Sequence, residues 1–160
     1  MTRAAITFED THHIRDSCLC LHAQRAARVL ARRFDEALRP VGLTNSQFSL
    51  LNALNRPGSA GIGQVASLLG ADRTTLTAAL KPLERDGLTR TEIDPADHRA
   101  RRIALTAAGH ARLSAALPLW TALHARLEAE LEAEQPAQLR RGLSALAAPA
   151  PPVCDASENA

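Results

Sequence analysis

Tyrosine is absent from this chain, and one tryptophan with three phenylalanines brings the aromatic share to only 2%. A β-sandwich draws on aromatic and β-branched residues, so this scarcity speaks against one. Alanine and leucine dominate an apolar fraction of 46%, which favours helices. Nowhere does an apolar run approach the roughly 18 residues a membrane span needs. The opening "MTRAAITFEDTHH" lacks the apolar stretch of a signal peptide. There are three cysteines, two of them one residue apart in a helical pattern, which argues against a disulfide framework. The expectation is a soluble cytoplasmic protein without a membrane partner. No Gly-rich phosphate loop, H-E-x-x-H or G-x-S-x-G occurs, and the histidines fall on separate segments, so neither enzymatic activity nor a cofactor is expected. Lysine is nearly missing too: Lys81 is the only one among 19 basic side chains. Arginine suits bidentate contacts to phosphates and guanine edges, although a GC-rich coding sequence yields the same bias.

The 160 residues suffice for one domain, or one domain with a helical extension. Residues 10–39 contain no internal Pro or Gly and predict one long helix. On it Leu19, Ala23, Ala26, Ala27, Leu30, Phe34 and Ala37 form one apolar stripe, while Ile14, Cys18 and Leu21 fall opposite. A helix apolar on two sides must be covered from both, which in so short a chain points to a second subunit. Gly42 stops this helix, and Thr44 with Gln47 makes a capping box for a second, "NSQFSLLNALN". A short third helix, "GQVASLLG", is expected to turn Val65, Leu68 and Leu69 inward. Asp72 caps a fourth, which runs to Gly87 with a kink expected at Pro82. "LTRTEI" and "RRIAL" alternate as strands around the turn "DPADHRA", giving a β-hairpin. A long helix follows, with Leu113, Leu117, Trp120, Leu123, Leu127 and Leu131 on its seam and a bend at Pro118. "QPAQLRRGLSALAA" is a last helix, and "PAPPVCDASENA" reads as a disordered tail.

Short helix, turn, helix and hairpin in that order make a helix-turn-helix with a wing. At about 100° per residue, Leu76, Ala79, Leu80 and Leu83 face inward. Thr74, Thr77, Ala78 and Lys81 face outward, with Arg73 at the flank. Hydroxyls and cations on such a face can meet phosphates and base edges. The hairpin tip carries "DHRARR", including Arg99 and Arg101, and an arginine there can enter a narrow minor groove. Asp97 lies two residues from Arg99 in a strand-like segment, so its carboxylate is expected to orient that guanidinium. From 72 to 102 there are seven Arg/Lys against six Asp/Glu, so placement rather than bulk charge must attract DNA, and binding should be salt-sensitive.

The stretch "LGADRTTLTAALKPLERDGLTRTEIDPADHRARRIALTAAG" resembles the winged-helix core of the multiple-antibiotic-resistance regulator (MarR) family. The D-x-R…L-T-x-x-G pattern stands as Asp97, Arg99, Leu105, Thr106 and Gly109, and "ALRPVGLTNSQFSLLNAL" is similar to the family's join between first and second helices. The resemblance covers roughly residues 15–147. It implies a mainly α fold with a small β-hairpin wing: a winged helix-turn-helix carried by long N- and C-terminal dimerisation helices. The corresponding division is 10–44 for the first dimerisation helix, 45–106 for the DNA-binding core, 107–147 for the C-terminal dimerisation helices and 148–160 for the tail. It further implies a homodimeric regulator, mostly a repressor in this family, that leaves a palindromic operator in double-stranded DNA when a small aromatic or lipophilic ligand, or an oxidant, acts near the dimer-facing helices. Arg73, Thr74, Thr75 and Thr77 then stand where the recognition helix touches DNA, and Arg99 where the wing tip does. A DNA-free interaction module that keeps the same scaffold is the alternative.

The pair in "DSCLCLH" remains open. Within a helix Cys18 and Cys20 project about 200° apart and cannot close one metal site or disulfide by themselves. Cys18 and His22 have usable metal-ligand spacing but are too few. In the hydroperoxide-sensing branch of the family a reactive cysteine lies near the start of the first helix, and Cys20 falls at that register, with Gln24, Phe34 and Asn45 where that branch has tyrosines. The two cysteines are thus packing residues first, with Cys20 as a redox sensor second and Cys154 as a conceivable disulfide partner.

Overall fold

In the computed structural model, which describes residues 6–148, the elements follow in one series. They are α1 (Phe8–Ser17), α2 (Leu19–Leu38), a 3-10 turn (Arg39–Val41), α3 (Asn45–Leu54), β1 (Ala60–Gly61) and α4 (Ile62–Leu69). Then come α5 (Arg73–Arg85), β2 (Thr89–Ile93), β3 (Arg101–Leu105), α6 (Ala107–Ala129) and α7 (Gln135–Ala147). Residues 149–160, with Cys154 and almost all of the expected tail, lie outside the described part.

The single helix expected over 10–39 is two helices. Cys18 adopts an extended conformation (ψ 105°), ends α1 and caps α2, its Sγ accepting the Leu21 N–H at 3.4 Å. Just before it, the Ser17 hydroxyl donates to the His13 carbonyl at 2.6 Å, a local bond that competes with helix continuation. The 200° separation of Cys18 and Cys20, and the shared face of Cys18 and His22, assumed an unbroken helix and no longer apply. Of the apolar stripe on α2, Phe34 is buried and Ala37 partly so, with Leu38 buried beside them, while Leu19 and Leu30 stay exposed together with Val29.

The capping box at Thr44 is present: its hydroxyl accepts the Gln47 N–H, and Gln47 Oε1 accepts the Thr44 N–H at 2.9 Å. The Asp35 carboxylate accepts the Asn45 N–H at 2.6 Å, joining the end of α2 to the start of α3. The core lies where α2, α3, α5, α6 and the sheet converge, with Leu38, Leu51, Leu54, Leu83 and Ile103 among its fully buried members. Truncating one of these to alanine costs about 2–5 kcal/mol in comparable cores. On α4 the inward face is Val65 and Ala66; Leu68 is 68% exposed and Leu69 37%, contrary to the expectation for both. Eight residues make little more than two turns, and only one side of them meets the core.

The expected two-stranded hairpin is a three-stranded antiparallel sheet of order β1-β3-β2. β1 contributes two residues, Ala60 opposite Ile103 and Gly61 opposite Arg102, too few to show as alternation inside "RPGSAG". α5 runs unbroken through Pro82 and α6 through Pro118. The L-T-x-x-G run joins the sheet to α6. Leu105 is buried, the Thr106 hydroxyl donates to the Gly87 carbonyl at 2.6 Å and accepts the Gly109 N–H at 3.1 Å. A Cβ on Gly109 would lie 2.0 Å from the Leu88 carbonyl oxygen, so only glycine lets α6 start this close to the sheet. Among the described residues no helix is long and apolar enough to cross a membrane.

Candidate nucleic-acid interface

The turn between α4 and α5 is made by Gly70, whose φ of +63° is one that L side chains rarely adopt. Asp72 then caps α5. Its carboxylate accepts the Thr75 N–H and the Thr75 hydroxyl, each at 2.7 Å, and these bonds, the backbone one foremost, hold it below its ordinary pKa. Thr75, expected at the DNA contact, therefore spends its hydroxyl proton on the cap. Thr77 donates to the Arg73 carbonyl at 2.7 Å, which leaves its methyl and oxygen lone pairs facing out. Thr74 makes no side-chain hydrogen bond among the described residues. Arg73, Thr74, Thr77, Ala78 and Lys81 surround one shallow depression on the exposed side of α5, while Leu76, Leu80 and Leu83 are buried on the other.

Asp97 and Arg99 are not in a strand-like segment but in the turn between β2 and β3. Asp97 does not grip the Arg99 guanidinium as expected. Its Oδ1 accepts the Arg99 backbone N–H at 2.9 Å, and its carbonyl accepts the Ala100 N–H at 2.8 Å. Such a side-chain-to-backbone bond shapes the tip itself. Arg101 folds back, donating to the His98 carbonyl at 3.2 Å. Arg99 is exposed, and its guanidinium has no hydrogen bond or ion pair among the described residues.

Beneath the tip lies a brace that the sequence reading missed. Arg102, half-buried, donates to Asp94 at 3.1 Å and to the Ser59 hydroxyl at 2.8 Å, and also to the Ser59 carbonyl. Asp94 in turn accepts the Ala96 N–H at 2.9 Å; that bond, and next Arg102, lower its pKa. "DHRARR" flagged the arginines, but nothing in the sequence tied Ser59 to a residue 43 positions away. Between α5 and this wing runs an open groove of about 950 Å³, walled by Arg73 and Thr77 on one side and by Asp94, Arg99, Arg101 and Arg102 on the other. The structure thus brings Arg73, Thr77, Arg99 and Arg101 to one groove and places Thr74 and Lys81 on the adjoining helix face.

Cys20 is exposed and remote from this groove in the chain, with Gln24 Nε2 donating to its Sγ at 3.2 Å. Cys18 is partly buried. Among the described residues no three His, Cys, Asp or Glu side chains gather as a metal-binding set. A second groove of about 400 Å³ opens between α3, α4 and α6, lined by Phe48, Leu68, Leu69, Leu117 and Trp120. Trp120 stacks on Phe48 and on His124, with ring centroids 6.3 and 4.6 Å away.

Comparison with known proteins agrees with this architecture. The model of the MarR family matches residues 43–100, from the start of α3 to the wing tip. The transcriptional regulator HosA of Escherichia coli O157:H7 is 38% identical over 96 residues, which are 58% of this chain and 69% of HosA. The transcriptional activatory protein BadR of Rhodopseudomonas palustris is 33% identical over 88 residues, 53% of this chain, and the match spans only half of BadR. The crystal structure of the M. tuberculosis transcriptional regulator MosR in complex with DNA superposes with a TM-score of 0.75 at 40% identity, covering 82% of this chain and 94% of MosR. The helix-turn-helix, its braced wing and these relatives lead to one assignment: the chain belongs to the MarR family of winged-helix transcriptional regulators.

Proposed function

We propose that this protein is a dimeric, sequence-specific DNA-binding regulator that represses from a palindromic operator and is released by a small aromatic or lipophilic ligand or an oxidant. The observation that carries the reading is the groove between α5 and the wing, lined by Arg73, by Thr77 and by Arg99, whose guanidinium is unengaged among the described residues. α5 enters the major groove with Thr74, Thr77 and Lys81 toward phosphates and base edges, and Arg99 reaches the neighbouring minor groove. Asp97 and Arg101 act on the tip's shape rather than on DNA, and Thr75 supports the cap. Membership in a family of transcriptional regulators supports a protein that works by binding DNA, in the cytoplasm.

Residues 10–44 and 107–147 are the pairing segments in this reading, and 45–106 the DNA-binding core. Exposed Leu19, Val29 and Leu30 on α2 and Leu139, Leu143 and Leu146 on α7 support it, because a second copy would cover them. The groove lined by Phe48 and Trp120 suits the ligand: it touches α4, which braces α5, and α6, so an occupant would shift the recognition helix relative to the pairing helices.

A gel shift with DNA from upstream of the protein's own coding sequence tests this directly. Saturable retardation that Arg99→Ala weakens at least tenfold supports the reading; no retardation at low salt favours the DNA-free module. The exposure of Cys20 favours a thiol-sensing version as second reading. Cys20→Ser should keep DNA binding, and hydroperoxide should then release the wild type alone; equal release of both removes the thiol.

A further inference from the structure

Gly63, in the first turn of α4, has no positive φ to justify it, and alanine is the better helix former there. What the missing side chain admits is the guanidinium of Arg73. A Cβ on Gly63 would lie 3.0 Å from Arg73 Nη2 and 3.5 Å from its Cζ and Nε, and these three are its nearest neighbours. The charged plane of the first residue of α5 is therefore laid back onto α4. Gly42 also has an arginine nearby, Arg112, but its φ of +67° already calls for glycine.

In a helix-turn-helix the first helix crosses the DNA backbone while the second enters the groove. A guanidinium resting on α4 is thus placed beside the backbone, away from the base edges that Thr74 and Lys81 face. We propose that Gly63 is a positioning residue, seating the Arg73 guanidinium in the groove between α5 and the wing so that it clamps a DNA phosphate instead of reading a base. This rests on the DNA-binding reading above. Two consequences separate it from a merely structural glycine. Arg73 contributes affinity without sequence preference, and Gly63 matters only while Arg73 is there.

The test is a double-mutant cycle on the full chain. Wild type, Gly63→Ala, Arg73→Ala and the double variant are titrated against a duplex the wild type selects from random-sequence DNA, and against a scrambled duplex, over a range of salt. Arg73→Ala should weaken both duplexes by a similar factor and reduce the slope of log K against log salt by about one. Gly63→Ala should lose several-fold in affinity with its thermal midpoint unchanged or raised, and should add no loss in the Arg73→Ala background. Loss of discrimination with an unchanged salt slope would make Arg73 a base reader and overturn the clamp. An undiminished Gly63→Ala effect in the absence of Arg73 overturns the seat. Failure of the wild type to bind any duplex removes the DNA reading together with the seat and the clamp, whereas tight wild-type binding with additive losses removes the seat alone.

Discussion

At the scale of single residues, side chains on the interface divide by where their hydrogen bonds already go. Thr75 is engaged with the cap of its own helix, Asp97 and Arg101 with their own turn, and the Arg99 guanidinium makes no hydrogen bond or ion pair among the described residues. Residue type and spacing placed Asp97, Arg99 and Arg101 near DNA and the family resemblance placed Thr75 there, but neither could tell a supporting side chain from a contacting one, since that depends on backbone geometry at a cap and a turn. Asp97→Asn should therefore keep much of the binding, because an amide oxygen can still accept the Arg99 N–H; Asp97→Ala should loosen the tip and weaken binding nearly as much as Arg99→Ala. Comparing the three by gel shift checks the order. A different residue carries an unspent cost. The hydroxyl of Thr89 is buried without a partner among the described residues, in the strand beside the core. Thr89→Val replaces it with a methyl of like shape, and we expect about 1 kcal/mol of added stability, seen as a raised thermal midpoint.

At the scale of elements, what was legible in the sequence followed periodicity and caps. The T-x-x-Q box, the Asp72 cap, the inward Leu76–Leu80–Leu83 face and the hairpin strands all rest on local rules. The break at Cys18 and the strand β1 were hidden: the first turns on one hydroxyl and one thiol competing for backbone groups, the second on two residues that pair only because β3 is present. Leu68 and Leu69 misled because apolar spacing does not say which side of a two-turn helix the core will take. The junction from sheet to α6 has a sharp test. Gly109→Ala forces a Cβ against the Leu88 carbonyl, and the helix or the strand must move; we expect a loss of about 1–3 kcal/mol in denaturant unfolding. The C-terminal helices also depend on charge. Arg33 of α2 pairs bidentately with Glu130, the residue that caps the end of α6, and Arg140 with Glu128 at 2.5 Å across α6 and α7. These arginines hold both glutamates below their ordinary value of 4.5. A depressed carboxylate stabilises fully above its unfolded value and loses that contribution as pH falls through its folded value. Thermal midpoints should accordingly fall on acidification below about pH 4.5, and the fall should be shallower in Glu130→Gln.

At the scale of the whole molecule, one chain presents one recognition helix and one wing, while leucines on α2 and α7 stand uncovered. Pairing two chains through those faces covers them and sets two copies of the groove at a fixed separation, which is what a palindrome with half-sites about one helical turn apart requires. With seven basic against six acidic side chains from 72 to 102, a single copy has little bulk charge with which to hold DNA. Doubling the contacts is how such a surface attains useful affinity, and a variant that separates the chains, such as Leu143→Asp with Leu146→Asp, should lose DNA binding with its winged core still folded. The most direct measurement is sedimentation of the complex combined with hydroxyl-radical footprinting on the selected duplex. The account predicts two chains per duplex and two protected patches about one turn apart; a single chain on the DNA, or one isolated patch, would contradict it.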